Sequence, residues 1–233
     1  MCGRYTLTVD KSTIEKRFGG KFYIAQASYD WEPTYNAAPS QRLPIIRTHQ
    51  PNVIELATWG FVPEGWKSSR MRPQNNARLE TANEKPMFRD SFRGRHCLVI
   101  ADSFYEWQTL ANGKKQPYRI MLKSGEPFAM AGIYARGADH GMGDAESASL
   151  TFAILTTTAN EIMQPIHERM PVILPLHHEK NWLAPTPSGM FIFPEFPADA
   201  MTAYPVTPKM SKASFNVPEA IQPIVPTLQL SAL

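Results

Sequence analysis

Cys2 opens the most specific chemistry in the chain. Removal of a start methionine is favoured when the second residue is small, and cysteine qualifies. Removal leaves an α-amine beside a thiol, a pair that no internal cysteine has. The amine has an ordinary pKa of about 7.7–8.0, so part of it is neutral near pH 7 and can attack an aldehyde to give a Schiff base. The thiol can then close onto the same carbon and form a five-membered thiazolidine. Alternatively, the thiolate attacks an amide with the α-amine as base. A cysteine can also simply follow the start methionine, so its surroundings must decide.

Several other residues qualify by type. Glu106 lies in the apolar run Phe104-Tyr105-Glu106-Trp107, where desolvation would raise its pKa toward a value useful for acid/base work. The plainer alternative is the solvated face of an edge strand. His167, in Ile166-His167-Glu168-Arg169-Met170-Pro171, can move protons near neutral pH or merely sit at a helix end. Asn76 and Asn36 are each either a hydrogen-bonding group or a turn asparagine. From Trp66 to Cys97 there are eight basic and three acidic residues, a local excess larger than the net +3 of the chain. Such a window is either a solvated face or a phosphate-binding one, and its arginine bias fits phosphate oxygens. Trp59, Phe61 and Trp66 flank it and could stack unpaired bases or fill a core. Cys97 reads as a buried thiol, and the His177-His178 pair is a weak metal signal because neighbours do not share a helix face.

The elements that must position these groups are short. Hydrophobic residues make up 43% and charged residues 19% of 233, which excludes a disordered chain. Two cysteines argue for a reducing compartment, and the expectation is a cytoplasmic protein that spans no membrane. A capping box at Ser12-Thr13-Ile14-Glu15 predicts a helix ending near Gly19-Gly20. Strands are predicted over 43–48, 53–59, 96–102, 104–110, 116–122, 127–135 and 149–157, with a hairpin at Asn112-Gly113 and a glycine- and aspartate-rich loop over 137–148. Helices are predicted over 81–92, with Pro86 in tension, and over 159–166 and 178–183. The 21 prolines cluster toward the end, predicting a tail from about residue 184 that wraps the body. The expected fold is α+β: one strand-dominated domain over 1–233, a curled mixed or antiparallel sheet or pseudo-β-barrel with short peripheral helices.

Six motifs in order resemble the SRAP family, the SOS-response-associated peptidases. They are Met1-Cys2-Gly3-Arg4-Tyr5, Tyr35-Asn36-Ala37-Ala38-Pro39, Trp59-Gly60-Phe61-Val62-Pro63, Asn76-Ala77-Arg78-Leu79-Glu80-Thr81, Phe104-Tyr105-Glu106-Trp107, and the His167 segment. Ser103 departs from the family, which often has glycine there. The resemblance implies a sensor of abasic sites in single-stranded DNA. No His/Cys cluster has metal-ligand spacing, no cofactor is expected, nothing in the sequence demands more than a monomer, and the protein is expected to be nucleoid-associated when bound to DNA. It implies that Cys2 forms a thiazolidine crosslink with the ring-opened sugar. Asn76 would hold the terminus or the sugar, Glu106 would serve as acid/base, and His167 would handle protons at the sugar hydroxyl. Arg4, Arg78 and Arg169 would contact phosphates, with Asn36, Trp66, Trp107 and Thr156 lining the groove.

Other readings remain open at this stage. An N-terminal-nucleophile amidohydrolase would also begin Met-Cys-Gly, but needs an oxyanion donor such as an Asn-Gly pair, present here only at Asn112-Gly113. A self-cleaving peptidase and a non-covalent single-strand binder complete the set.

Overall fold

Strand-forming residues dominate the chain, and the computed structural model, which describes residues 2–23, 31–65, 72–136, 150–184 and 194–224, places them in two sheets. Trp66 and the segment 137–148 lie outside the described residues. In chain order the elements are β1 (Arg4–Leu7), α1 (Lys11–Phe18), β2 (Lys21–Phe22), β3 (Thr34–Ala37), β4 (Arg42–Arg47), β5 (Gln50–Trp59) and β6 (Asn76–Arg78). There follow α2 (Leu79–Ala82), α3 (Arg89–Gly94), β7 (His96–Ala101), β8 (Ser103–Thr109), β9 (Lys115–Leu122), β10 (Phe128–Arg136) and β11 (Leu150–Thr158). The last are β12 (Arg169–Pro171), β13 (Ile173–Leu174), α4 (Leu176–Leu183) and β14 (Met201–Pro205).

The smaller sheet is antiparallel, in the order β14-β9-β8-β1-β3. The larger follows β12-β11-β10-β7-β4-β5-β2, with β13 on β10 and β6 on β11. It curls until β11 meets β5 in a two-residue parallel pairing, Thr151 opposite Thr58 and Phe152 opposite Trp59. This is the expected strand-dominated mixed architecture, curled rather than closed as a continuous barrel. Among the described residues no helix is long and apolar enough to cross a membrane.

The central strands explain the layering. All six residues of β7 are buried, and they alternate between two clusters. Cys97, Val99 and Ala101 face the interior between the sheets, beside Tyr5, Trp59, Phe104 and Phe152. Leu98 and Ile100 face the helices, beside Ile14, Phe92 and Trp182. A strand buried on both faces reads as a continuous apolar run, as this one does.

Four local expectations are corrected. The cap of α1 is Asp10, whose carboxylate accepts from the Thr13 N–H at 2.7 Å, not Ser12; aspartate satisfies a free donor of the first turn and starts the helix two residues earlier. The expected helix over 81–92 is two short helices, α2 and α3, because Pro86 cannot continue the ladder. Residues 161–166 form turns rather than a helix. The β4–β5 turn falls before Gln50, and Pro51 sits within β5 at an exposed position. The tail supplies β14 and three short 3-10 turns, of which Pro208–Ser211 and Pro218–Ile221 cover the outer face of the smaller sheet around Tyr105.

Gly132 is where β7, β10 and β11 approach most tightly. A Cβ there would lie 2.8 Å from Cys97 Sγ and from a Val99 methyl carbon, and 3.1 Å from the Ala153 carbonyl oxygen. Gly132→Ala is therefore expected to cost about 1–3 kcal/mol by overpacking. Urea denaturation measures this, and an unchanged midpoint would mean that the three strands separate freely.

Candidate functional site

Cys2 lies wholly buried at the start of the smaller sheet, in the same cluster as Tyr5, Ala37, Trp59, Met163 and Ile166. Its carbonyl oxygen accepts the Asn76 side-chain N–H at 2.8 Å. Asn76 is placed by β6, which runs parallel to β11 with Asn76 opposite Ile154. The preceding carbonyl, of Asn75, accepts from the Trp59 indole at 2.9 Å and from the Ile154 N–H at 3.0 Å. The other end of the Asn76 amide, Oδ1, is buried without a hydrogen-bond partner among the described residues. Burial pushes the Cys2 thiol far above its ordinary pKa, and the negative charge of Glu106 adds to this. The thiol is thus held neutral.

Glu106 follows from strand alternation. Phe104 points into the interior and Tyr105 to the outer cluster, so Glu106 points inward again. It is 2% exposed, and β8 lies between β1 and β9, which excludes the solvated edge-strand alternative. Burial raises its carboxyl pKa, and nearby positive charge offsets this only in part.

His167 arrives from the opposite sheet. Asn160, almost fully buried, caps the turn before it by accepting from the Met163 N–H at 3.2 Å. Gln108, two residues beyond Glu106, donates to the Pro165 carbonyl at 2.9 Å and ties that turn to β8. His167 Nδ1 accepts the Arg169 backbone N–H at 2.9 Å. A nitrogen that accepts carries no proton, so this bond assigns the proton of the neutral ring to Nε2. The position is a turn in front of β12, not a helix end.

The basic residues divide. Arg78, beside Asn76 at the end of β6, is exposed. Arg169 is 9% exposed and grips the Glu80 carboxylate at 2.7 and 2.9 Å, while its NH2 nitrogen also donates to the Thr156 carbonyl at 2.6 Å. Thr156 itself is fully buried on β11. Arg4 donates to Asn36 Oδ1 at 3.1 Å and to the carbonyls of Met210 and Ser211 at 3.3 and 3.1 Å. Asn36 is fully buried, its amide nitrogen donating to the carbonyls of Met210, Lys212 and Phe215. The Trp107 indole donates to Ser211 Oγ at 3.0 Å. Arg4, Asn36 and Trp107 therefore converge on the turn after Thr207, on the outer face of the sheet whose inner face carries Glu106.

The structure thus gathers Cys2, Asn76, Glu106 and His167, with Arg78, Arg169 and Thr156 along one side. Sequence reasoning did not single out Gln108, Asn160 or Glu80, since a glutamine, an asparagine and a helix-start glutamate carry no signal until their partners are known. The departure at Ser103 also acquires a reason: its hydroxyl accepts from Arg119 Nε at 2.8 Å and joins Thr6 and Asp102 in a buried polar network under β1. Among the described residues no group of three His, Cys, Asp or Glu side chains converges as a metal site would require. Chemically, the cluster offers a neutral thiol, a buried acid and a histidine proton donor around one chain terminus.

Comparison with known proteins finds relatives along most of the chain. The "Abasic site processing protein YoqW" of Bacillus subtilis is 38% identical over 229 residues, covering 95% of this chain and 99% of that protein. The "Abasic site processing protein YedK" of Escherichia coli is 28% identical over 204 residues, covering 84% and 88%. A crystal structure of a Bacteroides thetaiotaomicron protein superposes with a TM-score of 0.80 at 28% identity, covering 96% of this chain and all of that one. The family model described as "SOS response associated peptidase (SRAP)" matches residues 1–213. With that match spanning both sheets and every residue gathered around Cys2, the chain belongs to the SRAP family.

Proposed function

We propose that this protein senses abasic sites in single-stranded DNA and captures them covalently through Cys2. The observation that carries the reading is the convergence of Asn76, Glu106 and His167 on the chain terminus. The relatives' names, abasic site processing proteins, supply the substrate class.

Removal of Met1 frees the Cys2 α-amine. The ring-opened abasic sugar presents an aldehyde, and His167, with its proton on Nε2, donates to the sugar oxygen released when the ring opens. The amine adds to the aldehyde carbon, forming a carbinolamine. Glu106, kept protonated to higher pH by burial, gives its proton to the departing hydroxyl, so water leaves and a protonated imine remains. The thiol then adds to the imine carbon and its proton returns to the Glu106 carboxylate, leaving a neutral ring N–H. One water is released overall, and no oxidant is needed. A neutral buried thiol is a poor first nucleophile, so the amine attacks first. Asn76 fixes the terminus against the aldehyde, a positioning effect that supplies much of the advantage of such sites.

The amidohydrolase reading loses its support. Asn112-Gly113 is an exposed hairpin tip, with Gly113 in the left-handed region at φ 77° and Asn112 Oδ1 engaged by the Lys114 N–H at 3.0 Å.

A denaturing gel tests the proposal. The Met1-processed protein should give a heat-stable shifted band with an abasic single strand and none with an intact one. Cys2→Ala keeps the amine, so it should give only a borohydride-trappable imine. A retained Met1 should abolish both products. Full crosslinking from a blocked terminus would falsify the mechanism, and binding without any band would leave a non-covalent binder.

Glu106→Gln should slow crosslinking by about a hundredfold or more, the range of a positioned general acid. The wild-type rate should fall as pH rises through the raised Glu106 pKa, and that limb should vanish in the variant. Stability should fall in the same direction. A carboxyl raised above its ordinary 4.5 lends its full stability below that value and loses it as pH rises through the folded value. Glu106→Gln should therefore melt higher than wild type at pH 8 and lose that advantage toward pH 4. An equal gap at both pH values would show that Glu106 is not desolvated.

A further inference from the structure

We propose that Glu80 is a built-in phosphate surrogate: it occupies the Arg169 guanidinium in the free protein, so a phosphodiester must displace a carboxylate to bind there. The inference rests on the single-strand reading above and adds a residue that sets specificity within it.

The geometry of the pair is that of an anion clamp. Arg169 NH1 and NH2 meet the two Glu80 oxygens at 2.7 and 2.9 Å, the two-pronged arrangement that a guanidinium also offers to phosphate. The two partners are unequally buried, the Arg169 side chain being 11% exposed and that of Glu80 45%. Arg169 is anchored from within by the Thr156 carbonyl, and its Nε is buried with no hydrogen-bond partner among the described residues. Glu80 instead stands in the first turn of the short surface helix α2. Glu80 can swing into water at little cost, whereas Arg169 cannot leave without abandoning buried contacts.

Two contrasts support this assignment. The Arg17–Glu179 pair, 18% and 8% exposed, ties α1 to α4 with both ends buried, as a structural clamp does. The Glu80 carboxylate also feels the charge of Arg78, exposed two residues earlier. It therefore feels both arginines that the reading assigns to phosphates. Arg169 holds its carboxyl below the ordinary range, so it is ionised near pH 7 and competes as an anion.

The consequence is selectivity. Every strand, intact or damaged, must exchange Glu80 for a phosphate, which weakens reversible binding. Only a strand with an aldehyde gains the covalent bond that makes the weak encounter permanent. Glu80 lowers background occupancy of undamaged DNA without touching the reacting atoms.

The test measures binding of a fluorescent intact oligonucleotide by anisotropy across a salt series, beside crosslinking of an abasic strand at saturating protein. Glu80→Gln should bind the intact strand about fivefold more tightly at low salt, with the gain shrinking as salt rises. Glu80→Ala, which removes the hydrogen bonds as well as the charge, should shift affinity in the same direction. A structural role for Glu80 cannot raise affinity, so equal or weaker binding by variants that melt like wild type overturns the proposal. If wild type crosslinks and the variants bind no better, Glu80 alone is misassigned. If wild type crosslinks nothing, the covalent reading beneath it falls instead.

Discussion

One hydrogen bond, from the Asn76 amide to the Cys2 carbonyl, is the contact on which the arrangement of this molecule depends. Chain termini usually fray, because nothing beyond them contributes packing. Here the second residue is held as firmly as a core residue. The bond needs Asn76 at a fixed height, which requires the β6–β11 pairing, which in turn requires the curl that brings β11 against β5. Trp59 closes that circuit by stacking on Phe152 and donating to the carbonyl beside Asn76. The long-range architecture of the larger sheet thus serves a short-range task at the edge of the smaller one.

Around that bond, charge is sorted by depth. Inside, Cys2 and Glu106 are both biased toward their neutral forms by burial, and the Glu106 charge adds to the bias of Cys2. Further out, Arg169 and Glu80 are both ionised and pay the lower cost of a partly hydrated pair. The arrangement suits a reaction in which covalent steps need groups that gain and lose protons, while DNA recognition needs groups that do not. The buried network of Asp102, Thr6, Ser103 and Arg119 holds β1, β8 and β9 in register beneath both zones.

Much of this was legible in the sequence. Alternation and turn residues located β7 to β11, and the apolar company of Glu106 already argued for its burial. The peculiarity of a second-position cysteine pointed at the terminus. What was not legible was partnership. Arg4 and Asn36 look like ligand contacts by type, yet both bind the turn after Thr207, some 170 residues downstream of Asn36. Arg169 looks like a free phosphate contact, and its carboxylate partner lies 89 residues away. Gln108 reads as an ordinary strand glutamine until the Pro165 carbonyl is found beside it. Local pattern reports burial and period; it carries no information about which distant groups share a hydrogen bond. Helix boundaries failed for a smaller reason, since Pro86 and Asp10 each outweighed a neighbouring propensity.

The burial of Cys2 also orders events in the life of the molecule. A peptidase that trims the start methionine needs the bond before Cys2 in an extended, accessible chain. Once β1 has paired with β3 and β8, Cys2 is fixed at the start of the smaller sheet with its side chain buried. For the proposed chemistry, trimming therefore belongs to the nascent chain, before the smaller sheet closes. β1 is made first but cannot pair with β8 until about a hundred residues later, which gives a long interval for the enzyme to act. Topology thus works as a clock, since the pairing that completes the site also closes the interval in which the nascent terminus is extended.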